Sequence, residues 1–261
     1  MSDDDSYPRN PDYGKGCYRR RILLSASEGQ TRGDLEDDNH GFCVTVRHDG
    51  QYITAIEAET RRTPFTTCSG AGDPLQKLVG LKLTDNSAEL ILQTQPQANC
   101  THLFDLSILA ICQTARFLNT GESQRQYDIR LEDQQAEGSA NCEIFRDGQR
   151  IHHWQTRDWV IQSPSALAGK VLFKGFKDWA SQTFSGDEAE AAFALQKGYF
   201  VGNARQYNLR SLIGETADSH REYMYGVCYT YTSPQIEKAV RITDSIRDFT
   251  DTPEQLLRFS N

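Results

Sequence analysis

A group of polar residues stands directly before one of the most apolar segments of the chain. Residues 98–118 read ANCTHLFDLSILAICQTARFL, and as a helix the segment after His102 is apolar on nearly every side. An all-round apolar pattern is typical of a buried helix, predicted here over residues 102–118. The first turn of a helix has free N–H groups and a partial positive charge that can hold an anion. Cys100 and Thr101 therefore stand where a helix end could bind an anion.

Within this group, His102 and Asp105 are three residues apart and share one helix face. Histidine is the usual general acid or base, and a carboxylate can orient its ring. This spacing predicts that His102 transfers a proton, that Asp105 orients it, and that Thr101 or a helix N–H holds a developing anion. The alternative is structural: Asn99, Thr101 and Asp105 only cap the helix, and His102 hydrogen-bonds to the backbone.

A second histidine follows an acidic run just before a predicted strand, in the sequence LEDDNHGF. Runs of charge such as Glu36, Asp37 and Asp38 are typical of solvated loops, but His40 is a further candidate for the same catalytic site. Tyr199, on a later predicted helix, is a third catalytic candidate, although tyrosine is equally common in a helix core.

Two adjacent arginines, Arg61 and Arg62, stand at the end of a predicted strand. A guanidinium binds a carboxylate through two parallel hydrogen bonds, so either side chain is a candidate for an acidic end of the substrate, although such arginines are more often surface charges. The other candidate substrate-binding residues are Phe65, Cys68, Cys100, Trp154 and Arg205.

His40, Cys68, Cys100 and His102 could in principle form a zinc site, but Cys-x-His is not a standard ligand spacing. The chain also contains no HExxH, Walker, GxSxG or dinucleotide-binding motif. We therefore expect neither a metal nor an organic cofactor.

The composition of the chain is that of an ordinary soluble globular protein. It has 261 residues, of which 38 % are hydrophobic and 25 % charged, and a net charge of −8. An acidic chain argues against nucleic acid and anionic membrane surfaces as partners, and no apolar run reaches the ~20 residues that span a bilayer. Seven cysteines without a CxxC pair indicate a reducing cytoplasm. The expected partner is a small-molecule substrate, and a homo-oligomer stays open.

The strongest local structural signals are two Asp-Gly pairs, Asp49-Gly50 and Asp147-Gly148, each between β-forming residues. They predict an α+β fold with β-hairpins and curved antiparallel strands around a buried central helix. The acidic, Pro- and Gly-rich residues 1–16 predict a disordered leader, and residues 17–261 a single α+β domain. CVTVRHDGQ and CEIFRDGQR are similar, which indicates a possible repeat of a hairpin-helix unit over residues 17–120 and 125–206.

Five short motifs occur here in the order LEDDNHGF, VRHDG, RRTPFTTC, PLQKLVG and NCTHLFDL. In these motifs the chain resembles the bacterial family called domain of unknown function 2889, well over residues 17–118 and more weakly around Tyr199 and Arg205. The resemblance implies a cytoplasmic protein that accompanies catabolic genes, and a site that includes His40, Cys100 and His102. It implies no particular reaction.

These observations favour a cofactor-independent catabolic enzyme that acts on a small aromatic or apolar acidic molecule by acid–base chemistry, as a lyase or isomerase. One specific case is the retro-aldol-like loss of formaldehyde from a hydroxymethyl-bearing phenolic compound. Two alternatives stay open. One is a hydrolase or hydratase acting on an acyl thioester, and the other is a non-catalytic binding protein for an apolar acid.

Overall fold

The computed structural model describes residues 7–92, 98–135 and 137–260, which pack into two compact units. Unit 1 is formed by the described residues up to Arg21 together with residues 126–211 and 248–256. Unit 2 is formed by residues 22–125, residues 212–247 and the described residues from Leu257. The single domain and the repeat proposed from sequence stay predictions.

Each unit contains a set of antiparallel strands, so the predicted α+β class is confirmed. The strands are β1 (Cys17–Ser27), β2 (Gln30–Asp37), β3 (Gly41–His48), β4 (Ile53–Arg62), β5 (Gln124–Glu132), β6 (Ser139–Arg146), β7 (Gln149–Arg157) and β8 (Val160–Ser163). In unit 2 the neighbours follow the order β4-β3-β2-β1, and in unit 1 the order β5-β6-β7-β8. Register shifts in β3–β4, β6–β7 and β7–β8 mark bulges, which bend strands.

Both predicted Asp-Gly hairpins are present. In the turn between β3 and β4, Oδ1 of Asp49 accepts the backbone N–H of Tyr52 at 2.7 Å, and Gly50 has a φ of 94°. In the turn between β6 and β7, Asp147 and Gly148 both have positive φ angles, as a tight hairpin requires. Aspartate tolerates this conformation and glycine adopts it without strain, so local sequence accounts for both turns.

The predicted central helix is α2 (Thr101–Thr120), and it packs against β2 and β3 in unit 2. Its N-cap residue is Cys100, and it ends at Gly121, whose φ of 79° allows the left-handed C-cap. Leu103, Leu106 and Ile111 are fully buried, as the apolar pattern predicts. This packing places the first turn of α2 beside the end of β2.

The remaining helices are short, apart from α4. The α-helices are α1 (Ser87–Leu92), α3 (Phe176–Thr183), α4 (Gly186–Gly202) and α5 (Arg221–Met224). Segments of 3-10 helix are Thr66–Gly70, Asp73–Leu78, Ser165–Leu167, Asn203–Gln206, Leu209–Leu212, Ala217–His220, Tyr229–Tyr231, Pro253–Gln255 and Arg258–Ser260. No helix in the described part of the chain has the length and apolar character needed to cross a bilayer.

Residues 7–16 form hydrogen bonds within unit 1, and the disordered leader stays a prediction; residues 1–6 lie outside the described residues. Arg9 pairs with Tyr207 in an isolated β-bridge, and the N–H of Asn10 donates to the carbonyl of Gln206 at 2.9 Å. Oδ2 of Asp133 accepts the N–H of Gly16 at 3.0 Å. These hydrogen bonds are formed with residues distant in sequence, so the composition of residues 7–16 does not predict them.

Candidate functional site

The acidic run at the end of β2 forms a tight turn that leads into β3. Oδ1 of Asp37 accepts the backbone N–H groups of Asn39 and His40, both at 2.9 Å. The N–H of Asp37 donates to the carbonyl of His40, also at 2.9 Å. An aspartate that accepts from the backbone two or three residues ahead is a standard turn-former, so the sequence DDNH itself accounts for this turn.

Two imidazole rings meet the carboxylate of Asp37. Nδ1 of His40 lies 3.0 Å from Oδ1, and Nε2 of His102 lies 3.5 Å from Oδ2. The two rings face each other, with centroids 3.9 Å apart and planes inclined by 31°. The Asp37–His40–His102 triad is therefore built from the β2–β3 turn and the first turn of α2.

The triad is largely shielded from water. The Asp37 side chain is 0 % exposed, that of His102 9 % and that of His40 15 %. The ring of Phe42 packs against both imidazoles, with centroid distances of 5.8 Å. Electrostatic interactions and hydrogen bonds are stronger in such surroundings than in water. His40 is the member of the triad that is most open to solvent.

Arg62, at the end of β4, stabilises the β2–β3 turn through an ion pair and hydrogen bonds. Its guanidinium pairs with Glu36, with 3.1 Å between Nη2 and Oε1. It also donates to main-chain carbonyls of Asp37, Asp38, His40 and Ser245. The guanidinium predicted to bind an acidic substrate is thus engaged by the protein itself, because Arg62 supplies the donors that the turn's carbonyls need.

The acidic run is buried, which corrects the solvated loop expected from its charge. Glu36 is 6 % exposed, Asp37 0 % and Asp38 2 %. Oε2 of Glu36 also accepts the N–H of Leu257 at 2.6 Å. Burial of carboxylates requires paired charges and hydrogen bonds. In this acidic run, the paired charge and the hydrogen bonds come from residues far away in sequence.

A carboxylate outside the helix lies beside His102, which helix spacing did not predict, and the orienting role of Asp105 stays a prediction. Asp105 is half-buried in α2, but the carboxylate 3.5 Å from Nε2 of His102 is that of Asp37. Thr101 is half-buried as the first residue of α2, and the N-cap position belongs to Cys100 rather than to Asn99 or Thr101.

Four of the predicted substrate-binding residues have protein contacts that account for their positions without a substrate: Arg61, Phe65, Cys68 and Cys100. Arg61 is exposed and pairs with Glu59. Phe65 and Cys68 belong to an apolar cluster that also contains Ala217, Tyr231, Ile236 and Ala239. Burial raises the pKa of the Cys68 thiol and that of the Cys100 thiol, so both are neutral at pH 7.

Trp154, Tyr199 and Arg205 belong to unit 1, whereas the triad belongs to unit 2. Trp154 is 1 % exposed and packs among aromatic rings that include Phe176 and Trp179. Tyr199 is buried against Trp159, and burial raises the pKa of its hydroxyl. Arg205 pairs with Asp133 at 2.8 Å. The structure accounts for these three by core packing and an ion pair.

Unit 1 also has a cleft of about 290 Å³. It is lined by Arg19, Arg20, Arg21, Asp128, Ile129, Arg130, Glu143, Phe145, Pro253 and Leu256. Arg21 lies 2.6 Å from Asp128, and Arg130 lies 3.7 Å from Glu143. Because acidic side chains within the cleft wall compensate Arg21 and Arg130, we do not assign an anion site to the cleft.

Sequence reasoning identified both histidines but treated Asp37 only as part of a charge run. A local signal for Asp37 exists in the D-x-x-H spacing, which lets the carboxylate cap the turn and reach His40. The contact with His102 has no local signal, because it depends on the packing of α2 against β2. The arrangement can transfer a proton through an oriented imidazole, and its oxygen and nitrogen atoms can also ligate a cation.

Comparison with known proteins connects the chain to one family model. No curated protein matches the chain. Residues 32–117 match the model of a family described as a protein of unknown function, DUF2889. Over this segment, which contains Asp37, His40 and His102, the chain therefore resembles the family of proteins of unknown function DUF2889.

Proposed function

We propose that the protein is a small-molecule enzyme of lyase or isomerase type, in which the Asp37–His40–His102 triad carries out general acid–base catalysis. The observation that supports this most strongly is the 3.0 Å contact between Nδ1 of His40 and Oδ1 of Asp37. A carboxylate that accepts from one ring nitrogen sets the orientation and the tautomer of an imidazole. Such an orienting group is the usual support of a catalytic histidine.

The proposed chemistry follows from the position of the protons. With Nδ1–H of His40 donated to Asp37, the lone pair of the ring lies on Nε2, which is the nitrogen free to accept a proton from a substrate. His102 contacts the other carboxylate oxygen and lies against His40. Two imidazoles that share one carboxylate supply a base and an acid at neighbouring positions.

The specific reaction that we propose is the loss of formaldehyde from a hydroxymethyl-bearing phenolic compound. In this step a base removes the hydroxyl proton, the carbon–carbon bond breaks, and formaldehyde leaves. The electron pair passes to the carbon that held the hydroxymethyl group, where conjugation with the ring stabilises it, and an acid then protonates that carbon. The reaction changes no net oxidation state and needs no organic cofactor, so one base and one acid suffice.

The test is an assay of released formaldehyde over a panel of hydroxymethyl-bearing phenolic compounds. His40→Gln and Asp37→Asn should each lower turnover by roughly 100-fold or more, the usual scale for a lost general acid or base. His153→Gln is the control, because this exposed histidine contacts Asn141 and is not a member of the triad.

Three outcomes would contradict the proposal. A folded His40→Gln protein with unchanged turnover would remove the triad from the reaction. A protein that binds phenolic acids tightly but turns over no member of the panel would favour the non-catalytic alternative. Turnover of acyl thioesters that His40→Gln abolishes would keep the triad as the acid–base centre and replace the lyase reaction by the hydrolase alternative.

A further inference from the structure

We propose that Asp37, His40 and His102 together bind one divalent first-row transition-metal ion. Each residue offers one ligand atom, a carboxylate oxygen or an imidazole nitrogen, and these atoms all lie within 4.8 Å of one another. The proposal uses the same residues as the proposed function, but it concerns what they bind rather than which reaction they catalyse. The thiols of Cys68 and Cys100 are not part of this ligand set.

The distances suit such an ion. Zinc binds nitrogen and oxygen at about 2.0–2.2 Å, so neighbouring ligand atoms in a tetrahedral site lie about 3.3–3.5 Å apart. Nε2 of His102 and Oδ2 of Asp37 are 3.5 Å apart, and Nδ1 of His40 and Oδ1 of Asp37 are 3.0 Å apart. The ligand atoms of the three residues all lie within 4.8 Å of one another, so binding one ion requires a shift of the His40 ring and loss of its Nδ1 proton.

The surrounding hydrogen bonds hold the ligands in place. Oδ1 of Asp37 accepts two backbone N–H groups, which leaves Oδ2 as the oxygen directed toward His102. Arg62 fixes the carbonyls of Asp37 and His40. Hydrogen bonds of this outer kind orient metal ligands and contribute strongly to affinity.

The local polar environment gives a second, independent observation. Asn39 is 6 % exposed, and its Oδ1 has no hydrogen-bond partner within the described ranges. Native proteins rarely leave a buried acceptor without a partner, and a bound ion or ordered water often satisfies such an atom. Asn39 stands in the turn between two of the proposed ligands. A cation at the triad would also compensate the charge of the buried Asp37 carboxylate.

The donor set selects the kind of ion. Two imidazoles and one carboxylate suit zinc, iron, cobalt and nickel, whereas magnesium and calcium prefer oxygen ligands throughout. Three protein ligands leave room in the coordination sphere for water or substrate, as catalytic metal sites do. With Nδ1 of His40 bound to the ion, its Nε2 carries the ring proton, so a metal-bound water would replace His40 as the base of the proposed reaction near neutral pH.

The experiment uses the full chain without a histidine tag, treated with a chelator and then titrated with Co²⁺. Binding is measured by calorimetry and by the visible absorption of the cobalt ion. We expect one Co²⁺ per chain, displacement by Zn²⁺, and no competition from Mg²⁺ or Ca²⁺. Asp37→Asn, His40→Gln and His102→Gln should each weaken binding by more than the roughly 10–100-fold typical of an outer-shell change.

His153→Gln is the matched control, because this exposed histidine on β7 contacts Asn141 and not the triad. Circular dichroism of each metal-free variant establishes that it is folded. The proposal is overturned if no stoichiometric Co²⁺ binds, or if binding persists in folded His102→Gln and Asp37→Asn proteins. Binding decides this proposal and turnover decides the proposed function, so metal-free protein with full turnover but no affinity for Co²⁺ would reject only the metal site.

Discussion

The guanidinium of Arg62 and the carboxylate of Glu36 form a buried ion pair, with 3.1 Å between Nη2 and Oε1, beside the Asp37–His40–His102 triad. The two side chains are 10 % and 8 % exposed, so water does not screen the pair strongly. The same guanidinium also holds backbone carbonyls of the β2–β3 turn. The stability of the turn and the geometry of the triad are therefore coupled.

Arg62→Ala should lower the free energy of unfolding by about 3–5 kcal/mol, because it removes the charged partner of the buried Glu36 carboxylate and a donor to several backbone carbonyls. Chemical denaturation measures the change. Arg61→Ala is the matched control on the same strand, and its exposed pair with Glu59 should contribute no more than about 1 kcal/mol. Equal losses of unfolding free energy in the two variants would show that Arg62 does not stabilise the turn.

Leu106→Ala should destabilise unit 2 by about 2–5 kcal/mol, since Leu106 is fully buried where α2 packs against β2. Leu109→Ala is the control within the same helix; because Leu109 is only half-buried, its loss should cost less. Urea denaturation of both variants gives the comparison. A larger effect of Leu109→Ala would contradict the orientation of α2.

The stability of the protein should fall as the pH drops below about 6.5, partly because of His152. Burial lowers the pKa of this histidine, although the hydrogen bond that Nε2–H donates to the carbonyl of Glu188 opposes the shift. The unfolded state then binds more protons than the folded state between the folded pKa and about 6.5, and stability decreases toward acid over that interval.

Unfolding free energies measured from pH 8 to pH 5 test this contribution. His152→Gln should show a shallower decrease than the wild type, whereas His153→Gln, whose side chain is exposed on the other face of β7, should retain it. If His152→Gln left the pH dependence unchanged, the buried neutral imidazole would not be its source.

The native protein should react slowly with thiol reagents at neutral pH. All seven cysteines are thiols rather than disulfides, and six of them are buried. Burial raises the pKa of Cys43 to about 12 and that of the half-buried Cys228 to about 11, so little reactive thiolate is present.

A chromogenic disulfide reagent should release about one equivalent at most from the native protein within the first minutes, and seven equivalents after denaturation. Cys228→Ser should remove the native equivalent, because Cys228 is the least buried of the seven. Rapid reaction of several thiols in the folded protein would contradict the burial described here.

Local sequence was sufficient for the features that depend on neighbouring residues. The Asp-Gly pairs predict both hairpins because their preferred backbone angles suit tight turns. The apolar pattern and Gly121 predict α2 to within a few residues, and alternation along a strand places His152 and His153 on opposite faces. Residue types place His40 and His102 in one candidate site, although the role of Asp37 between them is not predicted.

Only the tertiary structure decided that the carboxylate of Asp37 lies beside His102 and that the acidic run is buried. Helix spacing predicts Asp105 as the orienting carboxylate, and the packing of α2 against β2 brings another carboxylate, that of Asp37, to within 3.5 Å of Nε2. Glu36, Asp37 and Asp38 have the composition of a solvated loop, yet they are buried because Arg62, distant in sequence, supplies the charge and the donors. The energy of burying a charge depends on partners that the fold assembles, so no local pattern could determine it.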